Sequence, residues 1–279
     1  MRLAWATDIH LDFLDDEGVR RFAATLAAQQ ADAVVLSGDL SHAELLEHHL
    51  RLLAQGIPGP IYFVLGNHYY GSSIEAVRAA VRDLGSRRPR LCWLPAAGVV
   101  RLTEKTAMVG VDGWGDARLG APDTTPVVLN DFFHIDDLAA TLDPLARARP
   151  ILIHGTDRRP LHAALRALGD AEAAALRPVL AAALADYPHV LVVTHVPPFA
   201  EACWHEGQLS DDDWRPYFTC AAVGDVLREL AGAAPGREIT VLCGHTHGSG
   251  EAQILPNLRV LTGGAEYRRP ELQRVLEFA

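Results

Sequence analysis

Five apolar runs of this chain stop at side chains that can bind a metal ion. Most of these side chains stand in short turn-like sequences, namely T-D-I-H, S-G-D, G-N-H and G-H-T-H. The side chains in question are Asp8 and His10, Asp39, Asn67 and His68, His195, and His245 and His247. A chain with this arrangement is constrained to fold so that several strand ends carry polar, ligand-bearing loops.

The apolar runs themselves predict β-strands covered on both faces. They are short and rich in β-branched residues, and they lack clean alternation of apolar and polar positions. We predict strands at residues 3–7, 33–36, 61–65, 107–111, 190–193, 239–243 and 258–261. Helices are predicted at 17–29, 41–54 and 73–84, with Ser41 and Ser73 as N-caps and Gly56 and Gly85 as stops.

The order of these elements predicts where the ligand-bearing residues meet. Alternation of strand and helix indicates parallel strands joined by right-handed crossovers. In sheets of that kind, ligands gather at the carboxyl ends of the strands. Asp8, Asp39, Asn67, His195 and His245 all fall at such ends, so we expect them at one common edge.

The chain as a whole has the composition of an ordinary globular protein. It has 279 residues, of which 49% are hydrophobic and 22% charged, and this allows one large α/β domain or two smaller ones. No linker or repeat divides it, and residues 115–150 are the least regular part. Two further helices are predicted at 163–169 and 171–185.

Charge and composition exclude some classes of partner. The net charge is −10 and Lys105 is the only lysine, which disfavours long nucleic acid as a preferred partner. No apolar stretch is long enough to span a bilayer, and the first residues have a strand pattern rather than that of a signal peptide. Scattered cysteines without a C-x-x-C pair favour a reduced, cytoplasmic protein, although spacing alone leaves disulfide pairing open.

Each cluster of candidate ligands also has an ordinary structural explanation. Asp8 and Asp39 could each cap a helix, and Asn67 could occupy a turn that needs a positive φ. His195 could be a buried histidine with satisfied hydrogen bonds. These explanations work singly, but they do not account for five such residues at five strand ends.

Taken together, the motifs D-x-H, G-D, G-N-H, H and G-H-x-H resemble the calcineurin-like metallophosphoesterase superfamily. The resemblance runs from about Asp8 to His247. It implies an α/β fold, a four-layer α/β/β/α sandwich in which helices flank two mixed sheets. It also implies that residues 1–279 form a single metallophosphoesterase domain.

The resemblance further assigns a role to each motif residue. One metal ion would be held by Asp8, His10 and His247. A second would be held by Asn67, His195 and His245, and Asp39 would bridge the two ions. His68 would remain unligated, face the substrate and act as the catalytic residue.

The donor chemistry agrees with that assignment. Mixed oxygen and imidazole ligands suit Mn²⁺, Fe or Zn²⁺ rather than Ca²⁺, and the absence of cysteine ligands argues against a closed structural zinc site. One carboxylate can bind two cations, and a water between them would lose a proton near neutral pH. We therefore expect attack by a metal-bridging hydroxide, with His68 stabilising the transition state or protonating the leaving oxygen.

One position departs from the family pattern. An acidic residue usually follows the G-N-H histidine and favours its protonated form, and this chain has Tyr69 there. One interpretation is a weakened general-acid function of His68. The other is that Tyr69 is an aromatic residue that packs or lines a pocket.

The sequence predicts a metal-dependent phosphohydrolase that acts on a phosphomonoester or a small phosphodiester. The expected partner is a small phosphorylated substrate, and no association with a membrane is expected. A cyclic-nucleotide phosphodiesterase is an alternative, because Trp204 and Trp214 follow His195 and could stack on a base or anchor a long loop. A catalytically silent scaffold is a second alternative, and nucleases would need a basic groove that is not evident.

Overall fold

The computed structural model describes residues 1–69 and 71–279, which form thirteen strands and ten α-helices. The strands are β1 (Arg2–Ala6), β2 (Ala33–Ser37), β3 (Ile61–Val64), β4 (Leu91–Trp93), β5 (Val100–Arg101), β6 (Thr106–Gly110), β7 (His189–Val193), β8 (Trp204–His205), β9 (Gln208–Leu209), β10 (Glu238–Cys243), β11 (Gly250–Leu255), β12 (Leu258–Thr262) and β13 (Leu272–Glu277). All seven predicted strands are confirmed to within one residue at each end.

The helices alternate with the strands in the first part of the chain and cluster in the middle. They are α1 (Asp16–Ala27), α2 (Ala43–Gly56), α3 (Ile74–Arg87), α4 (Leu94–Ala97), α5 (Asp131–His134), α6 (Asp136–Ala139), α7 (Pro144–Ala148), α8 (Arg159–Asp186), α9 (Arg215–Phe218) and α10 (Ala221–Ala233). Short 3-10 turns lie at Leu11–Phe13, Pro150–Gly155 and Ala200–Ala202.

The strands form two large mixed sheets. The first has the order β13-β1-β2-β3-β4, in which β1 to β4 are parallel and β13 is antiparallel to β1. The second has the order β11-β12-β10-β7-β6-β5, with a parallel centre and antiparallel outer strands β11 and β5. The parallel centres agree with the sequence prediction, whereas the antiparallel edges give both sheets their mixed character.

Four layers follow from the side chains on each sheet. Leu3, Trp5 and Val35 of the first sheet pack against Met108 and Leu191 of the second, which fills the space between the sheets. Intervening residues of the first sheet pack on α1, α2 and α3, and those of the second sheet pack on α8 and α10. The strands are therefore apolar on both faces, and the α/β/β/α sandwich is confirmed.

Helix boundaries match the prediction less closely than strands do. Ser73 caps α3 as expected and accepts a hydrogen bond from Ala76 N at 3.3 Å. The prediction that Ser41 is the N-cap of α2 is wrong. His42 is the N-cap, and Ser41 Oγ instead forms a hydrogen bond with His49 Nδ1 at 2.8 Å. Gly85 is also a wrong prediction as a stop, because α3 continues to Arg87.

The two helices predicted at 163–169 and 171–185 form one helix, α8. Gly169 lies within α8, and its missing side chain lets the helix approach the loop after β6. A Cβ at Gly169 would lie only 2.6 Å from Asp116 Cβ. The glycine therefore serves close packing here and does not end the helix.

Neither membrane-spanning helices nor disulfides are found in the part of the chain that is described. No helix there combines the length and the hydrophobicity needed to cross a bilayer. Even the longest, α8, carries Arg166, Asp170 and Arg177 along its length. The four cysteines are unpaired, and Cys203, Cys220 and Cys243 are buried.

Asp112, directly after β6, links the two sheets by hydrogen bonds. It is fully buried, and its Oδ1 accepts from Leu65 N and from Trp93 Nε1, both at 2.9 Å. Its Oδ2 accepts from Tyr69 Oη at 3.0 Å and from Arg78 Nε at 3.2 Å. The bonds from Leu65 and Tyr69 fix both sides of the loop that carries Asn67 and His68.

Glu172 on α8 completes this network. Arg78 forms ion pairs with both Asp112 and Glu172, so one guanidinium serves two buried carboxylates. Burial and the charge of Asp112 raise the pKa of Glu172 to about 7, against the opposing effect of Arg78. The folded protein therefore holds a proton that the unfolded chain releases between pH 4.5 and 7.

We expect this proton to make the contribution of Glu172 to stability dependent on pH. Because the pKa is raised on folding, wild type should lose stability relative to Glu172→Gln as the pH rises from about 4.5 to 7. Urea unfolding of both proteins at about pH 5 and about pH 8 measures this difference. A difference in the free energy of unfolding that is the same at both values would contradict the assignment.

Candidate functional site

The loops after β1, β2, β3, β7 and β10 meet at one edge of the sandwich, and they carry the predicted ligands. His10 from the first sheet and His247 from the second bring their Nε2 atoms to 3.1 Å from each other. His195 Nε2 lies 3.2 Å from Asp39 Oδ1 and 4.0 Å from Asp8 Oδ1. Residues that are distant in the chain thus share one small volume.

Among the described residues, three groups of side chains have their ligand atoms within 4.8 Å of one another. The first is Asp8, His10 and His247, and the second is Asp39, His195 and His245. A third group combines His10 and Asp39 with His68. The first two have the membership that the family resemblance implied for the imidazole and carboxylate ligands, and either could hold a cation.

The backbone of the site is in a conformation that most residues avoid. Positive φ angles occur at Asp8 (47°), His10 (38°), Asp39 (48°), His245 (70°) and His247 (58°). Outside glycine, such angles are uncommon and cost free energy, and they persist where surrounding contacts impose them. Their concentration at five predicted ligands supports a functional rather than a merely structural role for these loops.

Two glycines of the motifs are required by close contacts. At Gly38, where φ is 105°, a Cβ would lie 2.3 Å from His195 Nδ1. At Gly66, where φ is 82°, a Cβ would lie 2.4 Å from Asp39 Oδ1. The glycines of S-G-D and G-N-H therefore make room for the ligands of neighbouring strands.

Replacing Gly66 should separate this steric requirement from simple backbone strain. Gly71 has nearly the same φ, 80°, but a Cβ there would meet nothing within 4 Å. We expect Gly71→Ala to cost about 1 kcal/mol through its left-handed backbone alone, and Gly66→Ala to cost clearly more and to reduce bound metal. Urea unfolding and metal analysis check this, and equal effects of the two substitutions would contradict it.

The two buried carboxylates accept hydrogen bonds from neighbouring loops. Both oxygens of Asp8 lie 3.0 Å from His245 N, and Asp39 Oδ1 accepts from Asn67 N at 3.0 Å and His68 N at 3.2 Å. Burial raises the pKa of Asp8. Burial acts on Asp39 in the same sense, but the imidazoles of His195 and His68 lower its pKa well below the ordinary value.

Backbone carbonyls orient two of the imidazoles. His195 Nδ1 donates to Ser37 O at 3.0 Å, and His245 Nε2 donates to Tyr217 O at 2.9 Å. Each ring therefore keeps its other nitrogen for the site, as is usual for metal-binding histidines. Burial lowers the pKa of His245 to about 3 and that of His10 to about 2.

His195 behaves differently because both carboxylates lie beside it. Burial opposes its protonation, but Asp39 and Asp8 outweigh this and raise its pKa to about 9. A positive charge is thus favoured at the centre of the cluster. A divalent cation would satisfy the same demand.

Unsatisfied buried atoms also fit a metal site. Within the described residues, Asn67 Oδ1 and His195 Nε2 are buried and make no hydrogen bond of good geometry. Buried polar atoms without partners are uncommon in folded proteins and call for an explanation. Oxygen and imidazole donors of this kind suit Mn²⁺, Fe or Zn²⁺.

Asp131 is a site residue that the sequence analysis missed. Its Oδ2 accepts a hydrogen bond from Asn67 Nδ2 at 2.6 Å, and it is buried. This bond fixes the amide of Asn67 and leaves its Oδ1 for other partners. Asp131 lies in the irregular middle of the chain, outside any motif, so no sequence signal identified it.

Tyr69 is buried and packs away from the ligands. Only 2% of the residue is exposed, its ring stacks on Trp114 with centroids 5.3 Å apart, and its hydroxyl donates to Asp112. Tyr69 is therefore a packing aromatic residue, as the second interpretation of this position expects. The side chain supports the loop of His68 from behind.

The two tryptophans after His195 have different environments. Trp204 packs over Gly250, where a Cβ would lie 2.3 Å from its ring, so this tryptophan anchors its loop. Trp214 lines a cavity of about 290 Å³ together with His68. His42, just before α2, has its ring 6.0 Å from that of His68 and its Nε2 3.3 Å from Asp12 Oδ2.

Comparison with known proteins agrees with this fold. Residues 1–249 match the model of the calcineurin-like phosphoesterase family, so the chain belongs to that family. This membership makes it a hydrolase of the metal-dependent phosphohydrolase class. No curated protein matches the chain significantly in sequence.

Solved structures share the fold at low sequence identity. The phosphopantetheinyl hydrolase of Mycobacterium tuberculosis matches with a TM-score of 0.59 and 14% identity, over 94% of this chain and 89% of that one. A dimetal phosphatase from Danio rerio matches with a TM-score of 0.54 and 13% identity, over 95% and 87%. A protein of Thermus thermophilus, TT1561, matches with a TM-score of 0.52 and 16% identity, over 94% and 88%.

Proposed function

We propose that this protein hydrolyses a phosphomonoester or a small phosphodiester at a centre of two divalent metal ions. The observation that carries the proposal is the pair of adjacent ligand groups, one around Asp8 and one around Asp39. The proposed ligands are Asp8, His10, Asp39, Asn67, His195, His245 and His247.

Asp39 is the proposed bridging ligand. It lies in the same group as His195 and His245, and it also belongs to the group that contains His10. A carboxylate has two oxygens and can bind two cations at once. We propose Mn²⁺, Fe or Zn²⁺ as the bound metals, because the donors are oxygen and imidazole and include no cysteine.

The metal ions, when bound, would supply a nucleophilic water at neutral pH and neutralise charge on the phosphoryl oxygens. The side chains of the chain do the remaining work. His68 lines the cavity, and its Nε2 lies 3.3 Å from Asp39 Oδ2. We propose that it donates a proton to the leaving oxygen or stabilises the transition state.

Two hydrogen-bonded supports keep the catalytic loop in place. Asp131 orients the amide of Asn67, and Asp112 fixes the residues on either side of Asn67 and His68. Retention of His68 and of every ligand expected from the family pattern favours an enzyme over a silent scaffold.

Removing the metals should abolish activity. Exhaustive chelation removes the proposed nucleophile and the charge compensation, and adding Mn²⁺ to the stripped protein should restore turnover. Hydrolysis of an aryl phosphate before and after each step measures this. Turnover that survives complete metal removal would exclude the mechanism.

His68→Ala should keep two metal ions per chain but lower turnover by roughly 10²- to 10⁴-fold, as expected for loss of a proton donor. His154→Ala, at an exposed position outside the cavity, is the matched control and should retain wild-type turnover. Metal analysis accompanies the kinetics. Loss of a metal ion from His68→Ala would instead make His68 a ligand, consistent with its grouping with His10 and Asp39.

The reaction class is decided by a panel of substrates. Aryl phosphomonoesters, aryl phosphodiesters and cyclic nucleotides assayed with Mn²⁺ should show turnover of at least one of the first two classes. A marked preference for cyclic nucleotides would favour the specific phosphodiesterase alternative. Failure to hydrolyse any member of the panel would contradict the proposed function.

A further inference from the structure

Two aromatic side chains are exposed on one side of the candidate site. Tyr267 is 48% exposed and Phe13 42% exposed, and their ring centroids are 5.0 Å apart. Tyr267 lies 4.7 Å from the ring of His10 and 4.9 Å from that of His247. Large exposed aromatic groups beside a polar site are typical of surfaces that contact a ligand.

A second group of aromatic side chains, Trp214, Phe218 and His205, forms another wall next to His245. Trp214 stacks on Phe218 with centroids 4.7 Å apart, and His205 lies 4.8 Å from Trp214. His205 Nδ1 donates to Thr246 O at 2.9 Å, and Phe218 packs against His245 at 5.0 Å. These contacts hold the wall in a fixed position relative to the ligand loops.

Both walls line one cavity of about 290 Å³. Tyr267 lines it next to His247, and Trp214 and Phe218 line it next to His205 and His245. The space is small compared with pockets that hold drug-sized ligands, which begin at about 300 Å³.

The charges around the cavity restrict its ligand. No lysine or arginine is among the described residues that line the cavity, whereas two aspartates, Asp39 and Asp131, do line it. Arg215, the neighbour of Trp214, forms an ion pair with Asp212 at 2.8 Å. An anionic group inside the cavity and away from the metal ions would therefore meet no lysine or arginine side chain there.

We propose that the substrate is a phosphoester whose ester group is an uncharged planar ring, bound between Tyr267 and Trp214. This inference rests on the proposed function and names the substrate class of the same site. The phosphoryl group carries the only negative charge and faces the metal ligands. The rings of Tyr267 and Trp214 add stacking contacts, and the cavity disfavours ester groups with a carboxylate or a second phosphate.

Competitive inhibition by phosphonates tests the proposal without the effect of leaving-group acidity on rate. The probes are phenylphosphonate, ethylphosphonate and 4-phosphonobenzoate, assayed against the metal-loaded enzyme. Each aromatic contact should be worth roughly 2- to 12-fold in affinity, so two contacts should make phenylphosphonate bind roughly 4- to 140-fold more tightly than ethylphosphonate. The added carboxylate of 4-phosphonobenzoate should weaken binding relative to phenylphosphonate.

Substitutions of the walls locate the effect. Tyr267→Ala and Trp214→Ala should each reduce the phenyl-to-ethyl affinity ratio several-fold, whereas Tyr267→Phe should keep it because the ring remains. The exposure of Tyr267 makes its substitution compatible with folding. Tyr187→Ala is the matched control, since Tyr187 precedes β7 at the opposite edge of the sheet, and it should leave the ratio unchanged.

The outcomes separate this inference from the proposed function. Inhibition with equal affinity for the phenyl and ethyl compounds, or a ratio unaffected by both wall substitutions, overturns the substrate class while turnover of phosphoesters still supports the enzyme. Tighter binding of 4-phosphonobenzoate would overturn the charge argument in the same way. Absence of both turnover and phosphonate binding would overturn the proposed function and this inference together.

Discussion

The carboxylate of Asp39 makes the contacts on which the candidate site depends. Its Oδ1 accepts hydrogen bonds from the backbone of Asn67 and His68, so it ties the loop after β3 to the loop after β2. The same oxygen faces His195, which comes from the second sheet. A buried carboxylate is unfavourable without compensating positive charge. Here the imidazoles of His195 and His68 supply it, and a divalent cation at the same place would supply it as well. The interaction that assembles the site therefore also favours a bound cation.

The geometry around Asp39 explains the local sequence of the motifs. Each ligand loop turns sharply after its strand, which forces residues such as Asp8 and His245 into left-handed backbone conformations. Gly38 and Gly66 are needed because a neighbouring ligand occupies the space of their missing side chains. The rigidity that results places imidazoles and carboxylates in reach of one another before any ligand binds, which is what efficient electrostatic stabilisation requires.

Much of the central fold could be predicted from the sequence because strands buried on both faces leave continuous apolar runs. The strands β11 and β13 were missed, since they lie at sheet edges, are only half buried and have no such run. Ser41 looked like a helix cap, but a tertiary hydrogen bond to His49 engages its hydroxyl instead.

Part of the candidate site could also be predicted from the strands, whereas the residues that reach it from elsewhere could not. Its motif residues follow predictable strand ends, so their common edge could be inferred from strand order. Asp131, at the start of α5, and Tyr267, in the loop after β12, reach the site through long-range packing, and no local pattern marks them. The support that Asp112 gives to the His68 loop becomes visible only when the two sheets are packed together.

Two cations held on either side of Asp39 are the central feature of the proposed site. Anomalous diffraction at the manganese edge, from crystals of the protein loaded with Mn²⁺, tests this most directly. We predict two peaks about 3.5–4 Å apart, both within bonding distance of the Asp39 carboxylate. A single peak, or peaks that make no contact with Asp39, would contradict the two-metal site.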